Sequence, residues 1–212
     1  MSKILIELQY LPSIAYFSAI YSVDEIHIAS KGRFEKRTYL NRSTILTANG
    51  PLDMSVPVFG ANKRIPVQEV KIDYHEKWMN NHWRAIQSAY GKSPFFDFYS
   101  EEFKTILYSE ASHLFDLNKS LLTMCLKFLQ IDKPVFWAES YENMDKPDLI
   151  DMRGVIHPRK PISELQWFAP KPYQQIFGSN FVSNLSILDL LFCTGPEALE
   201  VLKRSVVSSL NK

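Results

Sequence analysis

Glycine is scarce in this chain: seven in 212 residues, at positions 32, 50, 60, 91, 154, 178 and 195. Without clustered glycines there is no G-x-G-x-x-G turn for a dinucleotide and no G-x-x-x-x-G-K-[ST] loop to cradle phosphates. H-E-x-x-H, G-x-S-x-G and a kinase-type catalytic loop are missing as well. Cysteine is scarcer still. Cys125 and Cys193 stand far apart, with no C-x-x-C and no zinc-type spacing, so the expectation is two free thiols in a reducing compartment, no structural metal and no bound cofactor. Neither sign of charge is in excess: 24 basic residues face 23 acidic ones, for a net charge of +1. No global field would draw in nucleic acid or an anionic membrane. No apolar run approaches the roughly 20 residues of a spanning helix. Glu7 and Gln9 interrupt the first apolar stretch where a signal peptide needs an unbroken one. A cytoplasmic protein without membrane insertion is the expectation.

What is present is an ordinary globular composition, 46% hydrophobic and 22% charged, expected to build one domain over residues 1–212. "KILIEL" and "EIHIAS" alternate and read as strands on either side of a helix, "SIAYFSAIYS". In "YLNRSTILTANGPLDMSVPV" two alternating runs flank Asn49-Gly50, the signature of a hairpin whose two turn centres tolerate φ > 0. "PVQEVKI" is a further strand candidate. "DYHEKWMNNHWRAIQSAY" carries Trp78, His82, Ala85, Ile86, Ala89 and Tyr90 on one helical face, with Asp73 as its cap. Helices follow at "SPFFDFYSEEFKTILYSE" and at "HLFDLNKSLLTMCLKFLQ", whose stripe includes Leu114, Leu121 and Cys125. Between residues 133 and 181, where six of the twelve prolines fall, the reading is an irregular covering segment with one strand at "PVFWAES". Two last helices divide at Thr194-Gly195-Pro196. The class that results is α/β: a mixed sheet including the hairpin, layered between flanking helices.

Several polar residues stand out from this frame. His82 shares a face with Trp78 and Ile86; it is either a general base at a pocket wall or a core histidine bonded to a backbone carbonyl. His75, seven residues earlier, could join it on a metal only with a ligand from elsewhere, so no metal is assigned. Asp116 and Asn118 in "FDLN" and Asp189 in "SILDLL" place polar groups in apolar surroundings, where burial demands partners. Among Arg33, Lys36, Arg37 and Arg42, Arg42 is the preferred anion contact, because its guanidinium offers forked donors from the base of a rigid hairpin beside Asn41. Cys193 lies where one helix ends and the next begins, so the sign of the dipole acting on its thiol is open.

Five blocks together, "YLPSIAYF", "KRTYLNR" with "NGPLDMSVPV", "WMNNHWRAIQSAYGKSPFFDFY", "FDLN" and "NLSILDLLFCTGPE", resemble the WbqC-like family, most closely its shorter Bacteroidetes type, from about Ile4 to Leu202. The resemblance implies a role in O-antigen or other surface-polysaccharide synthesis, where some members are linked to attaching amino acids to amino sugars. The family's usual "QPxYxPxxGYF" is altered here to Gln9-Tyr10-Leu11-Pro12, with Ala15 in place of the glycine. "ASKGRF" lacks the acidic or amide residues that relatives often carry after the second strand. The polar positions that match are Tyr10, Asn41, Arg42, Asn49, His82, Tyr90, Asp97, Asp116, Asn118 and Asp189. The expectation is a transferase that N-acylates an amino sugar, free or nucleotide-linked, from an acyl-carrier or other thioester donor. His82 is its expected base; Asn41, Arg42, Tyr10, Tyr90, Asp116, Asn118 and Asp189 are its expected substrate contacts. The alternative is a non-catalytic sugar-binding or assembly protein of the same pathway, which the missing residues after Ser30 favour.

Overall fold

The computed structural model of the protein describes residues 1–61, 64–138 and 148–210. Four parallel strands form the central sheet in the order β5-β2-β1-β6: β1 is Lys3–Glu7, β2 Glu25–Ala29, β5 Val135–Ala138 and β6 Leu149–Asp151. The register pairs Ile4 with Ile26 and Ile6 with Ile28. Side-chain alternation sends these four β-branched residues into the main core, while Leu5, Ala29 and Leu149 form a small cluster on the other face. Parallel neighbours need a crossover, and α1 (Ile14–Tyr21) supplies it between β1 and β2. Seven of its eight residues are buried, as a helix that is apolar nearly all round requires. Lys133 ties the end of α1 to the strand that follows: its ammonium donates to the carbonyls of Ile20, Tyr21 and Val23, at the negative end of the helix dipole.

The α/β class holds, with one change of detail: the hairpin does not join the parallel sheet. β3 (Arg42–Thr47) and β4 (Gly50–Ser55) form a two-stranded sheet of their own. Its register, Thr47 opposite Gly50, makes Ala48 and Asn49 the turn centres. Of the Asn49-Gly50 pair, only Gly50 takes positive φ, +99°, so the glycine serves as the bulge residue that closes the turn. The hairpin is anchored by β3. Ser43 Oγ donates to the Leu11 carbonyl and the Ser186 amide donates to the Thr44 carbonyl, both at 2.8 Å.

The middle of the chain forms α2 (Trp78–Tyr90), α3 (Phe96–Leu107) and α4 (Leu114–Phe128). Asp73 does not cap α2, which begins five residues later; its carboxylate instead accepts from the backbone and ring nitrogens of His75. "PVQEVKI" is not a strand but a 3-10 turn at Val67–Glu69, with isolated bridges from Pro66, Lys71 and Ile72 to different partners. The strand at "PVFWAES" is observed through Ala138, and its last two residues lie outside the described ones. The segment read as irregular supplies the edge strand β6, paired in parallel with β1. At the end, α5 (Ile187–Thr194) and α6 (Ala198–Ser205) flank Gly195-Pro196. The last helix stops at Ser205, beyond which Val206 bridges to Phe168.

Candidate functional site

Strand addition runs from β1 to β2 and β5, then resumes on the opposite side of β1 with β6. The direction therefore reverses at β1, and in open parallel sheets ligands bind outside the carboxyl ends of the strands at such a reversal. A cleft of about 200 Å³ lies there. Glu7 and Leu8 at the end of β1 and Ala29 at the end of β2 form its floor; Arg33, Glu35, Thr38 and Tyr39 form one wall, and Arg153, Gly154 and His157, following β6, form the other.

Local hydrogen bonds shape each wall. Thr38 Oγ1 donates to the Glu35 carbonyl at 2.7 Å and accepts from the Leu40 amide at 3.3 Å, folding the loop on itself. Arg33 is held by its side-chain bond to the Arg64 carbonyl at 2.8 Å. On the other side the Gly154 amide donates to both Glu7 carboxylate oxygens, at 3.1 and 3.2 Å. Gly154 meets Glu7 in a left-handed conformation, φ +66°, which glycine adopts without strain. Its carbonyl accepts from Lys160 Nζ at 2.8 Å, so the peptide is fixed at both ends.

The electrostatics follow from these contacts. Burial raises the Glu7 carboxyl above the usual range; the Gly154 amide opposes that rise, the nearby Asp151 charge adds to it and Arg153 subtracts. Burial lowers His157, helped by the charges of Arg159 and Lys160 and opposed by Glu35. His157 Nδ1 accepts from the Arg159 amide at 3.1 Å, so its neutral ring carries the proton on Nε2 as a donor. The cleft thus combines a carboxylate of raised basicity, a neutral imidazole donor and the Arg33 and Arg153 guanidiniums. Among the described residues no group of three or more His, Cys, Asp or Glu side chains is placed to hold a metal.

None of the eight residues proposed from sequence is among those lining this cleft; they fall into two buried networks and a few separate positions. In the first, Tyr10 Oη and His82 Nδ1 are hydrogen-bonded at 2.9 Å, and the Ser55 backbone opposes the effect of burial on the ring. His82 is 6% exposed, packs edge-on against Trp78, and is pushed by burial down to about 4. Asn41 joins the same part of the hairpin, its Nδ2 donating to the Val56 carbonyl at 2.9 Å and to Ser55 Oγ at 3.3 Å. In the second network, Asp189 is fully buried and accepts from Tyr90 Oη at 2.9 Å, from Gln175 Nε2 at 3.0 Å and from Tyr173 Oη. Tyr90 Oη in turn accepts from the Leu46 amide at 3.0 Å. Burial raises Asp189 and pushes the neighbouring Cys193 thiol up to about 12.

Arg42 pairs with Asp53 across the hairpin at 3.5 Å. Asp116 is exposed, 3.8 Å from His113. Two of the eight brace the cleft from behind: Asn118 Nδ2 donates to the Leu40 carbonyl at 2.8 Å, and the Tyr10 amide donates to the Tyr39 carbonyl at 2.8 Å. Glu7, Glu35, Tyr39, Gly154 and His157 were not singled out by sequence. A usable signal existed for Glu7, a carboxylate closing an otherwise apolar strand at a strand–loop–helix junction.

Comparison with known proteins agrees with the resemblance noted from sequence. The pattern of the WbqC-like protein family matches residues 9–156 and 159–201. The uncharacterized protein Rv1507c of Mycobacterium tuberculosis is 29% identical over 231 aligned positions, covering 96% of this chain and 98% of that protein. No solved structure matches the chain. With the family pattern spanning nearly its whole length, the chain belongs to the WbqC-like protein family.

Proposed function

We propose that the protein is an N-acyltransferase acting on an amino sugar of surface-polysaccharide synthesis, with Glu7 as its base. The observation that carries this reading is the Glu7 carboxyl, raised by burial and aimed into a cleft at the strand-order reversal. An ammonium becomes a nucleophile only after losing a proton, and the attacking amine loses a second as the amide forms; a carboxylate of raised basicity is suited to accept one. The amine nitrogen forms a bond to the carbonyl carbon of a thioester, Glu7 takes the N–H proton, and the carbon–sulfur bond breaks, the departing sulfur receiving the proton from Glu7 and leaving as the thiol. The Nε2–H of His157 is the donor available to the developing oxyanion. Pockets for drug-sized ligands span ~300–1,000 Å³. A cleft of about 200 Å³ therefore suits one sugar ring, and a nucleotide attached to it would lie outside, along the exposed Arg33, Lys36 and Arg37. In this reading His82, Tyr10 and Asn118 are supports of the site, while Arg42 and Asp189 hold the hairpin and the covering segment.

The test is acyl transfer from a small thioester to a 4-amino sugar nucleotide. Glu7→Gln is expected to lower kcat by about 100-fold or more, the range for a lost general base, while His82→Gln stays within about tenfold of wild type. A Glu7→Gln enzyme at the wild-type rate would remove Glu7 from the chemistry. Binding of the sugar without any transfer by the wild type would make this a sugar-binding protein of the pathway.

A further inference from the structure

The turn that holds the Glu7 carboxylate is itself built on a second carboxylate. Asp151 ends β6 and pairs in register with Leu5. Leu5 and Leu149 meet on one face of the sheet, and side chains two residues apart on a strand share a face. Asp151 and Glu7 therefore leave the sheet on that same face, from neighbouring strands. Asp151 then folds the chain beyond it. Its Oδ1 accepts from the Arg153 amide at 3.0 Å, and its two oxygens accept from the Arg153 guanidinium, from Nε at 2.9 and 3.1 Å and from Nη2 at 2.5 Å. The next amide along the chain is that of Gly154, which donates to both Glu7 oxygens. Carboxylate, turn and amide form one series of contacts that ends on the candidate base.

We infer that Asp151 is a positioning residue for Glu7: by ordering the turn through Arg153 and Gly154 it sets the Gly154 amide against the carboxylate that accepts the substrate's proton. This rests on the Glu7 reading above and adds to it a residue that does not line the cleft. Stability gives little reason for the pair, since the Arg153 and Asp151 side chains are 38% and 50% exposed and ion pairs so placed add little. Beyond the effect of burial, Asp151 acts on Glu7 in two opposite senses. Its charge disfavours the ionised Glu7, whereas the amide that it sets in place favours it. The other charged and titratable groups around Glu7 are Arg153, Tyr16 of α1, and Arg33, Glu35 and His157 of the cleft, with Lys160 on the Gly154 carbonyl. All of them stay in place in the variants that test the inference.

Two substitutions separate charge from position. Asp151→Asn and Asp151→Ala both remove the charge, but asparagine keeps an Oδ1 to accept the Arg153 amide. In the whole protein, isotope-labelled at its glutamate carboxyls and titrated by NMR, Glu7→Gln identifies the Glu7 signal. Asp151→Ala is expected to hold the Glu7 proton about tenfold more tightly than Asp151→Asn does, the worth of one hydrogen bond to a charged group. The acidic limb of kcat/KM for acyl transfer is expected to follow the same order. Asp151→Ser, whose hydroxyl can also accept the Arg153 amide, is expected to titrate with Asp151→Asn. Equal Glu7 titrations in Asp151→Asn and Asp151→Ala overturn the inference, because Asp151 would then act through its charge alone. A Tm that falls far in Asp151→Ala but not in Asp151→Asn overturns it as well, since the residue would then hold the fold and not the turn. If the two variants separate as expected while Glu7→Gln transfers acyl groups at the wild-type rate, the base reading fails and the hold of Asp151 on Glu7 stands.

Discussion

His82 should make the stability of this protein fall steeply between neutral and mildly acidic pH. Its ring sits neutral beside the Tyr10 hydroxyl, and burial holds it down to about 4 against an ordinary 6.5. The sign follows from proton counting. Above pH 6.5 neither folded nor unfolded chain is protonated at this residue, so the site adds no pH dependence. Between 6.5 and about 4 the unfolded chain binds a proton that the folded chain refuses, and the unfolded state gains about 1.4 kcal/mol per pH unit. The accumulated loss is about 3 kcal/mol, a large part of the ~5–15 kcal/mol that holds a domain together. Urea unfolding of wild type and His82→Gln from pH 7 to 4.5 isolates the effect, since glutamine does not titrate. Glu7 and Asp189, whose folded carboxyls are raised, bend both curves in the opposite sense and cancel in the difference. The wild-type advantage should shrink steadily as pH falls below 6.5. A difference that stays flat would mean that the ring is solvated or already charged in the folded state, and the buried, neutral Tyr10–His82 pair would be wrong.

Asp189→Ala should cost at least about 3 kcal/mol in urea unfolding, because Tyr90, Tyr173 and Gln175 would each keep a buried donor with no acceptor; Asp189→Asn, which retains one carbonyl oxygen, should cost clearly less, and equal costs would contradict the three-donor arrangement. Two glycine substitutions should rank by their surroundings in thermal melts. Gly154→Ala meets only backbone strain, since a Cβ there has nothing within 4 Å at φ +66°, and about 1 kcal/mol is expected. Gly195→Ala adds to a similar strain a Cβ 2.5 Å from the Phe95 ring, so its Tm should fall further; the reverse order would refute the packing drawn here.

The elements that were legible in the sequence are those whose signal is local. β1, β2 and the face of α2 carry their own apolar period; Trp78, His82, Ile86, Ala89 and Tyr90 are buried as that period requires, and Ala85 on the same face is half-buried. Where the deciding interaction lies far along the chain, local pattern misleads. "PVQEVKI" alternates like a strand, yet its residues bridge singly to Arg33, Val58 and His113, so no one partner strand is available to extend a ladder. β6 has too few residues to carry a period and exists because Leu149 and Ile150 complete the exposed edge of β1. Asp73 has the chemistry of a cap, but its Oδ1 is engaged by His75, two residues on.

The site was obscured by a related cause. Polar residues inside apolar helices attract notice because burial makes them costly, and that cost is met here by partners within the fold: Tyr10 for His82, two tyrosines and Gln175 for Asp189. A pocket residue is the opposite case, ordinary in its own neighbourhood and significant only where distant segments meet. Glu7 and Gly154 are 147 positions apart and join because β6 docks beside β1. The pairing that closes the sheet is therefore the same event that assembles the cleft, which ties the candidate chemistry to the strand order.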